Sequence, residues 1–480
     1  MQQNKDGERK LYRLFGLSSL ALITAFSSLY GEDFEDFKRV QNTAFAKYKD
    51  ANDNAFEAYL KKQWQEYNAF ASKALYKKEK PKVITPASQR EPLAVGPAVR
   101  INVEKEKQER VKAMPKLEKK AALVVHYFGT NLSFIQNTQL SKAKFYPPKQ
   151  KGVLNFFSVM AASDYQPTLL EIKKICDDLK LNDWGLYLLV QKLSQKYFSN
   201  DDDKKLYSWF ILNKLGYNTK VGLKEGHIVL LSLTKQQVYA TPGYRLAGEK
   251  FYNFDAKRSE RKSIYTYEQN YPNAVKALDF SLPTLPLLAK EMQEESKTFR
   301  MEGKNYTLSY RYNKNLINFM NTYPQVDYQV YFDAPLEEDT YRDIALGMKP
   351  YLDGKKANIA LNFVLRFVQS GFEYERDKEQ FGKEKVMFAQ ETLFYTKSDC
   401  EDRAVLYAKL VKKLFGIGVV GVKYPNHMAT ALYIPLQGDS VKLNGRRFVV
   451  ADPTFINANV GESMPKYKSI IPESFIVVKN

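Results

Sequence analysis

The stretch SDCEDRAVLYAKLVKKLFGIG, residues 398–418, decides the fold of the carboxy-terminal region. Its apolar residues recur at three- and four-residue steps, the spacing of one buried helix face. These residues are Val405, Leu406, Leu410, Val411 and Leu414. Cys400 comes just before the series, so we predict that it lies at the amino terminus of a helix. The free N–H groups and the dipole there would stabilise a thiolate.

A nucleophilic cysteine needs a base, and the base needs a group that orients it. The need is stronger here because Asp399, Glu401 and Asp402 oppose a thiolate by like-charge repulsion. His427 is one of three histidines and lies in the strand pattern VGVKYPNHMATALYI. Asp452 follows the next strand pattern, in RRFVVADPTF. The chain order Cys, His, Asp therefore offers a nucleophile, a base and an orienting carboxylate.

These segments resemble the bacterial transglutaminase-like superfamily, which joins a helix-capping Gly-Asp-Cys-Glu-Asp, a strand with Gly-His and a strand ending in Asp-x-Thr. The matching residues here are Ser398-Asp399-Cys400-Glu401-Asp402, Asn426-His427 and Asp452-Pro453-Thr454. The lead-in AQETLFYTKSDC is also similar. The resemblance covers about residues 340–460 and implies a papain-like core with Cys400, His427 and Asp452 as its catalytic triad. Ser398 and Asn426 stand where the family has glycine, so the backbone geometry there stays open.

The triad would also need groups that stabilise a developing oxyanion. We expect the backbone N–H of Cys400 to be one donor, with Gln390 and Tyr395 as candidate side-chain donors and Asp402 as a supporting residue. A zinc site made of the three triad residues is an alternative. Because the close-paired spacing of zinc ligands is missing, the sequence predicts no metal and no other cofactor.

A second, degenerate copy of this pattern lies upstream. The stretch SNDDDKKLYSWFILNKLGY, residues 199–217, aligns with the first stretch and places Asp201 where the cysteine stands. His227 then falls one residue from register with the later histidine, and Asp255 falls near the later aspartate. Since aspartate cannot replace the thiolate as acyl acceptor, such a copy would be a scaffold or a binding module. Chance similarity between two amphipathic helices is the competing explanation.

Composition and periodicity predict an α+β chain of several domains. A charged and proline-containing stretch with little apolar periodicity indicates a mobile linker. Short alternating runs, TFRMEGKNYTLSYRY and VDYQVYFDA, predict antiparallel strands. The predicted parts are a signal peptide at 1–31, an amphipathic helical segment at 32–74, the linker at 75–120, an α+β domain at 121–280, an antiparallel β segment at 281–338 and the catalytic domain at 339–480.

The amino terminus and the charge balance point to an exported basic protein. A basic start followed by an apolar run over residues 14–31 is typical of a secretory signal, and amino-terminal anchoring is the alternative. The formal net charge of +19 suits an anionic envelope polymer or a membrane surface, and export disfavours nucleic acid as partner. A bridge between Cys176 and Cys400 would block the nucleophile, so we expect both thiols to be free and Cys176 to be buried.

Together these features predict a cysteine hydrolase, a peptidase or amidase, that cleaves amide bonds in a protein or peptide-like substrate of the bacterial periplasm or envelope. Two alternatives remain. Transfer of the acyl group to a lysine amine would make the protein a cross-linking protein-glutamine acyltransferase. Loss of catalysis would leave an envelope-binding protein on the same fold.

Overall fold

The computed structural model describes residues 49–62, 64–70, 73–103, 122–255 and 262–479. The chain divides into two compact units, Met1–Ala58 and Tyr59–Asn480. In the first unit, the described residues are helical. The predicted signal peptide and residues 104–120 of the predicted linker lie outside the described part. Within that part, no helix combines the length and the apolar character needed to span a membrane.

Twelve helices lie in the described residues, and most of them are in the second unit. They are α1 (49–60), α2 (Gln150–Ala161), α3 (Gln166–Asp178), α4 (Asp183–Tyr197), α5 (Asp201–Lys214), α6 (Lys314–Met320), α7 (Tyr328–Asp333), α8 (Glu338–Leu352), α9 (Ala357–Ser370), α10 (Asp377–Phe381), α11 (Ala389–Phe394) and α12 (Cys400–Phe415). Short 3-10 turns occupy Leu140–Lys142 and Pro465–Tyr467.

Strands alternate with these helices, which confirms the predicted α+β class. They are β1 (Gln65–Tyr67), β2 (Ala69–Phe70), β3 (Ala122–Tyr127), β4 (Thr130–Ile135), β5 (Thr219–Lys224), β6 (His227–Leu233), β7 (Gly243–Leu246), β8 (Glu249–Tyr252), β9 (Ile264–Thr266), β10 (Met292–Met301), β11 (Lys304–Asn313), β12 (Glu373–Tyr374), β13 (Lys397–Ser398), β14 (Val419–Tyr424), β15 (His427–Leu432), β16 (Ser440–Leu443), β17 (Arg446–Ala451) and β18 (Ser474–Val477).

The first large sheet has seven strands in the order β1-β9-β5-β6-β8-β7-β2. Its two edge strands are separated in the chain by Asn68 alone, so the sheet curls until its edges are neighbours. Of the helical segment predicted over 32–74, residues 32–48 lie outside the described part and residues 49–60 are helical, but the prediction is wrong at β1 and β2. Trp64 explains the change, because its ring packs against Tyr265 and Tyr267 of the sheet and draws this aromatic stretch into strand pairing.

The second large sheet has five antiparallel strands in the order β16-β17-β15-β14-β18. Helix α12 packs against β14 and β15. Gly421 of β14 allows close packing on its other side, since an added Cβ would lie 2.8 Å from Cζ of Phe332. The five strands and α12 form the site-bearing module of the protein.

The two large sheets repeat one topology. Helix α5 is followed by the β5–β6 and β7–β8 hairpins and by β9, in the sheet order β9-β5-β6-β8-β7. Helix α12 is followed by the β14–β15 and β16–β17 hairpins and by β18, in the matching order. His227 pairs with Lys224 and His427 pairs with Tyr424 at the same place in the two hairpins. This topological match supports the predicted repeat, and common descent of the two modules stays a prediction.

Strands β10 and β11 form the antiparallel hairpin predicted from TFRMEGKNYTLSYRY. The strand predicted from VDYQVYFDA is wrong, because this stretch forms α7. Three consecutive residues, Val330, Tyr331 and Phe332, are buried there. A strand with one solvent-facing side would bury alternate residues, so the packing around this stretch overrides its β-type composition.

Part of the predicted linker is an ordered segment of the fold. Residues 73–103, which we call the strap, run along the site-bearing module with few strand pairings. Four apolar residues of the strap are buried, namely Leu75, Tyr76, Ile84 and Ile101. The prolines spaced along the strap keep it extended and outside a β-ladder. The low apolar periodicity correctly indicated that this stretch has no regular secondary structure. It did not indicate that the stretch is unpacked.

Candidate active site

Cys400 is the first residue of α12, as predicted, and its side chain is fully buried. Asp402 supports this helix start, because it accepts hydrogen bonds from the backbone N–H of Asp399 at 3.2 Å and of Met387 at 2.8 Å. The segment before the helix is thereby fixed to the helix itself. Asp402 is therefore a helix-capping residue, and its supporting role at an oxyanion stays a prediction.

His427 and Asp452 form a buried pair. His427 opens β15 and Asp452 directly follows β17. Nε2 of His427 lies 2.8 Å from Oδ2 of Asp452. The other oxygen of Asp452 accepts from the backbone N–H of Thr454 at 3.0 Å and of Phe455 at 3.3 Å. The carboxylate is thus held in place, and a proton on Nε2 leaves Nδ1 as the basic nitrogen.

Tyr467 holds the imidazole from one face. Its ring stacks on His427 with a centroid distance of 4.7 Å and an interplanar angle of 18°. The Tyr467 hydroxyl donates a hydrogen bond to Oδ1 of Asn426 at 3.0 Å. Asn426 therefore fixes the tyrosine that covers the histidine.

Nδ1 of His427 is buried and has no hydrogen-bond partner among the described residues. The thiol of Cys400 has partners elsewhere. Its Sγ donates to Oε2 of Glu401 at 3.1 Å and lies 3.8 Å from the hydroxyl of Tyr76. The structure therefore brings His427 and Asp452 together. Helix α12, which begins with Cys400, packs against β15, which begins with His427. Among the described residues, however, Sγ of Cys400 forms no hydrogen bond with His427.

A buried lysine lies among the carboxylates beside Cys400. Nζ of Lys80 donates to Asp377 at 3.1 Å, to Asp399 at 2.5 Å and to Glu401 at 2.8 Å. It also lies 2.9 Å from the half-buried Glu384. Carboxylate oxygens of this cluster lie within 4.8 Å of one another, close enough to hold a cation. The ammonium group occupies that position in the fold.

The cluster sets the protonation of the thiol. Burial raises the pKa of Cys400 well above the usual thiol value, and the charges of Glu401 and Asp399 raise it further while Lys80 partly offsets them. Burial also acts to raise the pKa of Glu401, but Lys80 and hydrogen bonds lower it to about 2. Glu401 is thus ionised beside a protonated thiol. The expected thiolate stabilisation at the helix terminus is outweighed in this arrangement.

The two side-chain donors predicted for the oxyanion have other partners. Gln390 is buried and donates to Thr340 at 2.8 Å and to Glu337 at 3.2 Å. Tyr395 donates from its hydroxyl to Asn321 at 2.9 Å. Both side chains are therefore part of the packing around α8 and α6. Composition alone could not separate a structural amide from a catalytic one.

Ser398, two residues before Cys400, also has a defined role. Its Oγ accepts a hydrogen bond from Nε of Arg403 at 3.1 Å. The buried Arg403 guanidinium also donates to the backbone oxygen of Gln369 at 3.1 Å and of Phe372 at 2.7 Å. Ser398 thus helps to satisfy a buried cation that ties α12 to the end of α9.

The upstream module, made of α5 and the seven-stranded sheet, does not assemble an equivalent triad from its described residues. Asp201 opens α5, is exposed and pairs with Lys204 at 2.8 Å. His227 is exposed and lies 3.1 Å from Asp202, while Asp255 accepts from Gln191 at 3.0 Å. Asp201 and Asp255 do line one cavity of about 200 Å³. Asp201, His227 and Asp255 thus correspond in the chain to Cys400, His427 and Asp452, but their side chains bond to other partners.

Several residues at the site carry no sequence signal that links them to Cys400. Tyr76 and Lys80 come from the strap, more than 300 residues earlier in the chain. Tyr467 follows the triad segments and Asp377 lies in α10. A lysine in the run YKKEKPK is ordinarily a solvated surface residue. Cys176 and Cys400 are both free, and Cys176 is buried as expected, whereas the burial of Cys400 was not predicted.

The fold and the site define an α+β protein with a buried histidine–aspartate pair beside a helix that begins with a cysteine. Comparisons of the chain with known protein families, with curated proteins and with solved structures found no match. Its function is therefore argued from the chemistry of the site.

Proposed function

We propose that the protein is a cysteine hydrolase of the transglutaminase-like class, with a papain-like core, that cleaves amide bonds through Cys400, His427 and Asp452. The observation that carries the proposal is the 2.8 Å contact between Nε2 of His427 and Oδ2 of Asp452, with Nδ1 left without a partner. A carboxylate that fixes the tautomer of an imidazole is the arrangement that general-base catalysis requires.

The reaction begins when Nδ1 of His427 takes the proton from the Cys400 thiol. The sulfur attacks the carbonyl carbon of the amide, and the backbone N–H of Cys400 at the start of α12 donates to the oxyanion. His427 then gives its proton to the leaving amine, and the C–N bond breaks. Water, deprotonated by His427, releases the carboxylate product from the thioester. Asp452 stabilises the imidazolium in both steps.

The substrate is a protein or peptide-like molecule, and an amine in place of water would make the same acyl-enzyme a cross-linking transferase. The amino-terminal sequence and the net charge of +19 support export to the bacterial periplasm or envelope and attraction to anionic polymer there. No cofactor enters this proposal.

One observation favours a second candidate, a non-catalytic envelope-binding protein. The Cys400 thiol donates a hydrogen bond to Glu401. Burial, and to a lesser extent the charge of Glu401, raises the pKa of the thiol. A cysteine held in this way for the lifetime of the protein would be structural. The candidate requires that the buried state be permanent.

Trapping of the acyl-enzyme tests the proposal. Full-length protein is incubated with a peptide library, and products and the mass of the intact protein are measured by mass spectrometry. Cleaved peptides and a covalent adduct on Cys400, both lost in Cys400→Ala and in His427→Ala, support the hydrolase. Products unchanged by both substitutions would contradict it, and Cys176→Ala is the matched control.

A further inference from the structure

The strap crosses the candidate site as an extended peptide. Pro425 accepts from the backbone N–H groups of Lys77 and Lys78 at 3.2 Å each. Asn426 donates from Nδ2 to the backbone oxygen of Glu79 at 3.0 Å, and the Tyr374 hydroxyl donates to the backbone oxygen of Pro81 at 2.7 Å. The residues that hold the strap are thus next to His427 in the turn before β15 and on β12. They contact strap backbone, which any extended polypeptide also offers.

Two side chains of the strap close the site. The Tyr76 hydroxyl lies 3.8 Å from Sγ of Cys400 and donates to Oε2 of Glu401 at 3.1 Å. Nζ of Lys80 donates to Glu401 and Asp399, the two residues that flank the cysteine. With the strap in this place, Cys400 and His427 are both fully buried. A substrate carbonyl could not reach Sγ while the strap is in this place.

Lys80 is the anchor of the strap. Removing an ammonium group from water is unfavourable, and the surrounding carboxylates offset that penalty only as a complete set. The carboxylates in turn depend on the lysine, because Asp377 and Asp399 are buried beside Glu401. Strap and site therefore stabilise each other at this point through charged contacts, in addition to the buried apolar side chains of the strap.

Beyond Lys80 the strap is held by two buried apolar side chains, Ile84 and Ile101, and by scattered hydrogen bonds. Beyond the anchor, Ala87 donates to Ile456 at 2.8 Å, and Asn459 donates to the backbone oxygen of Arg90 at 3.0 Å. Residues 74–97 belong to no strand of the described sheets. Segments with sparse backbone bonding separate from a fold at a lower free energy than paired strands do.

We propose that the strap is an internal blocker that occupies the face on which an extended polypeptide substrate would lie, with Lys80 as its anchor, and that it must move for Cys400 to react. This inference rests on the proposed function for its catalytic consequence. Displacement of the strap would free the carboxylates at the site for a basic group of the incoming chain. Its departure would also admit water to the thiol.

The test compares the reactivity of Cys400 in full-length protein with the strap held and released. A specific protease sequence is inserted between the exposed residues Ser88 and Gln89, and iodoacetamide labelling of Cys400 is followed by peptide mass spectrometry before and after cutting. Lys80→Met is measured in parallel. The matched control is Lys82→Met, which changes an exposed lysine two residues further along the strap.

We expect labelling to rise at least about tenfold after cutting and in Lys80→Met, and to stay unchanged in Lys82→Met. Circular dichroism reports whether each protein stays folded. If Lys80→Met unfolds, the cut protein decides the question. Equal labelling before and after cutting, with the fold retained, would overturn the proposal.

The same samples separate this inference from the proposed function. An accessible thiol in cut protein that cleaves no peptide in the library would count against the hydrolase and leave the blocker in place. Equal peptide cleavage by uncut and cut protein would support the hydrolase and overturn the blocker.

Discussion

Nε2 of His427 lies 2.8 Å from Oδ2 of Asp452, and both side chains are buried. This contact fixes which nitrogen of the imidazole can act as a base. It also depends on β15 and β17 lying side by side in the five-stranded sheet, where Thr430 pairs with Ala451. The pairing of two strands thus brings together a histidine and an aspartate that lie 25 residues apart in the chain.

Replacing this carboxylate by an amide tests its orienting role. In Asp452→Asn the shape is kept, but the amide can present its N–H groups to the imidazole and favour the wrong tautomer. We expect kcat for peptide cleavage to fall by about a hundredfold to ten-thousandfold with little change in KM. Steady-state kinetics on a peptide returned by the library screen provide the measurement. A kcat within about twofold of wild type would count against the orienting role.

The charge of Glu401 controls the titration of the thiol. Burial raises the pKa of Cys400 first and the negative charge of Glu401 second, so Glu401→Gln should lower that pKa. More thiolate is then present at any given pH, and the midpoint of the iodoacetamide rate against pH moves to lower pH. We compare midpoints and not absolute rates, because Glu401→Gln also weakens the contact with Lys80 and thereby changes the access of iodoacetamide to the thiol.

The control for this titration is Glu338→Gln, which removes a partly exposed carboxylate paired with Lys413. Its midpoint should coincide with that of the wild type. A midpoint in Glu401→Gln that is equal to the wild-type midpoint or higher would contradict the electrostatic account of the site.

The buried guanidinium of Arg403 should be important for stability. Arg403→Met leaves Ser398 and two backbone oxygens without their donor, and we expect the free energy of unfolding to fall by about 2–4 kcal/mol. Arg311→Met removes a surface pair with Asp343 and should change it by less than about 1 kcal/mol. Urea denaturation followed by circular dichroism compares them. Equal losses would show that burial is not the deciding factor.

The two hairpin histidines offer a matched comparison across the repeated topology. His427 is fully buried, whereas His227 is exposed and bonds to Asp202. We expect His227→Ala to leave peptide cleavage unchanged and to alter the free energy of unfolding by no more than about 0.5 kcal/mol. His427→Ala should abolish cleavage. A loss of cleavage in His227→Ala would place the upstream module in catalysis and reject its inactive assignment.

Local patterns were sufficient to predict α12, the strand that carries His427 and the strand that ends at Asp452, but the stretch predicted as one strand around His427 forms the two strands β14 and β15. They also predicted the order of α5, β6 and β8 in the upstream module. Periodicity and turn residues act over short distances, so these elements leave a signal in the sequence. The strand expected near Val330 became α7 because its neighbours bury three consecutive residues.

The strap and its lysine could not be predicted in the same way. The contact of Lys80 with Asp399 joins residues 319 positions apart, and neither residue has a pattern that identifies the other. A charged, proline-containing stretch has the composition of a mobile linker whether or not it packs. The assignment of Gln390 failed for a related reason, since its partners Glu337 and Thr340 are set by the tertiary fold.

The measurement that tests the central claim most directly is the pH dependence of Cys400 labelling in strap-cut protein, with and without His427. If His427 activates the thiol, the labelling rate of the otherwise unchanged chain should rise with a midpoint below about pH 8, and His427→Ala should remove that rise. Identical curves for the two proteins, both with a midpoint near about 8.5, the value of an ordinary thiol, would contradict the claim.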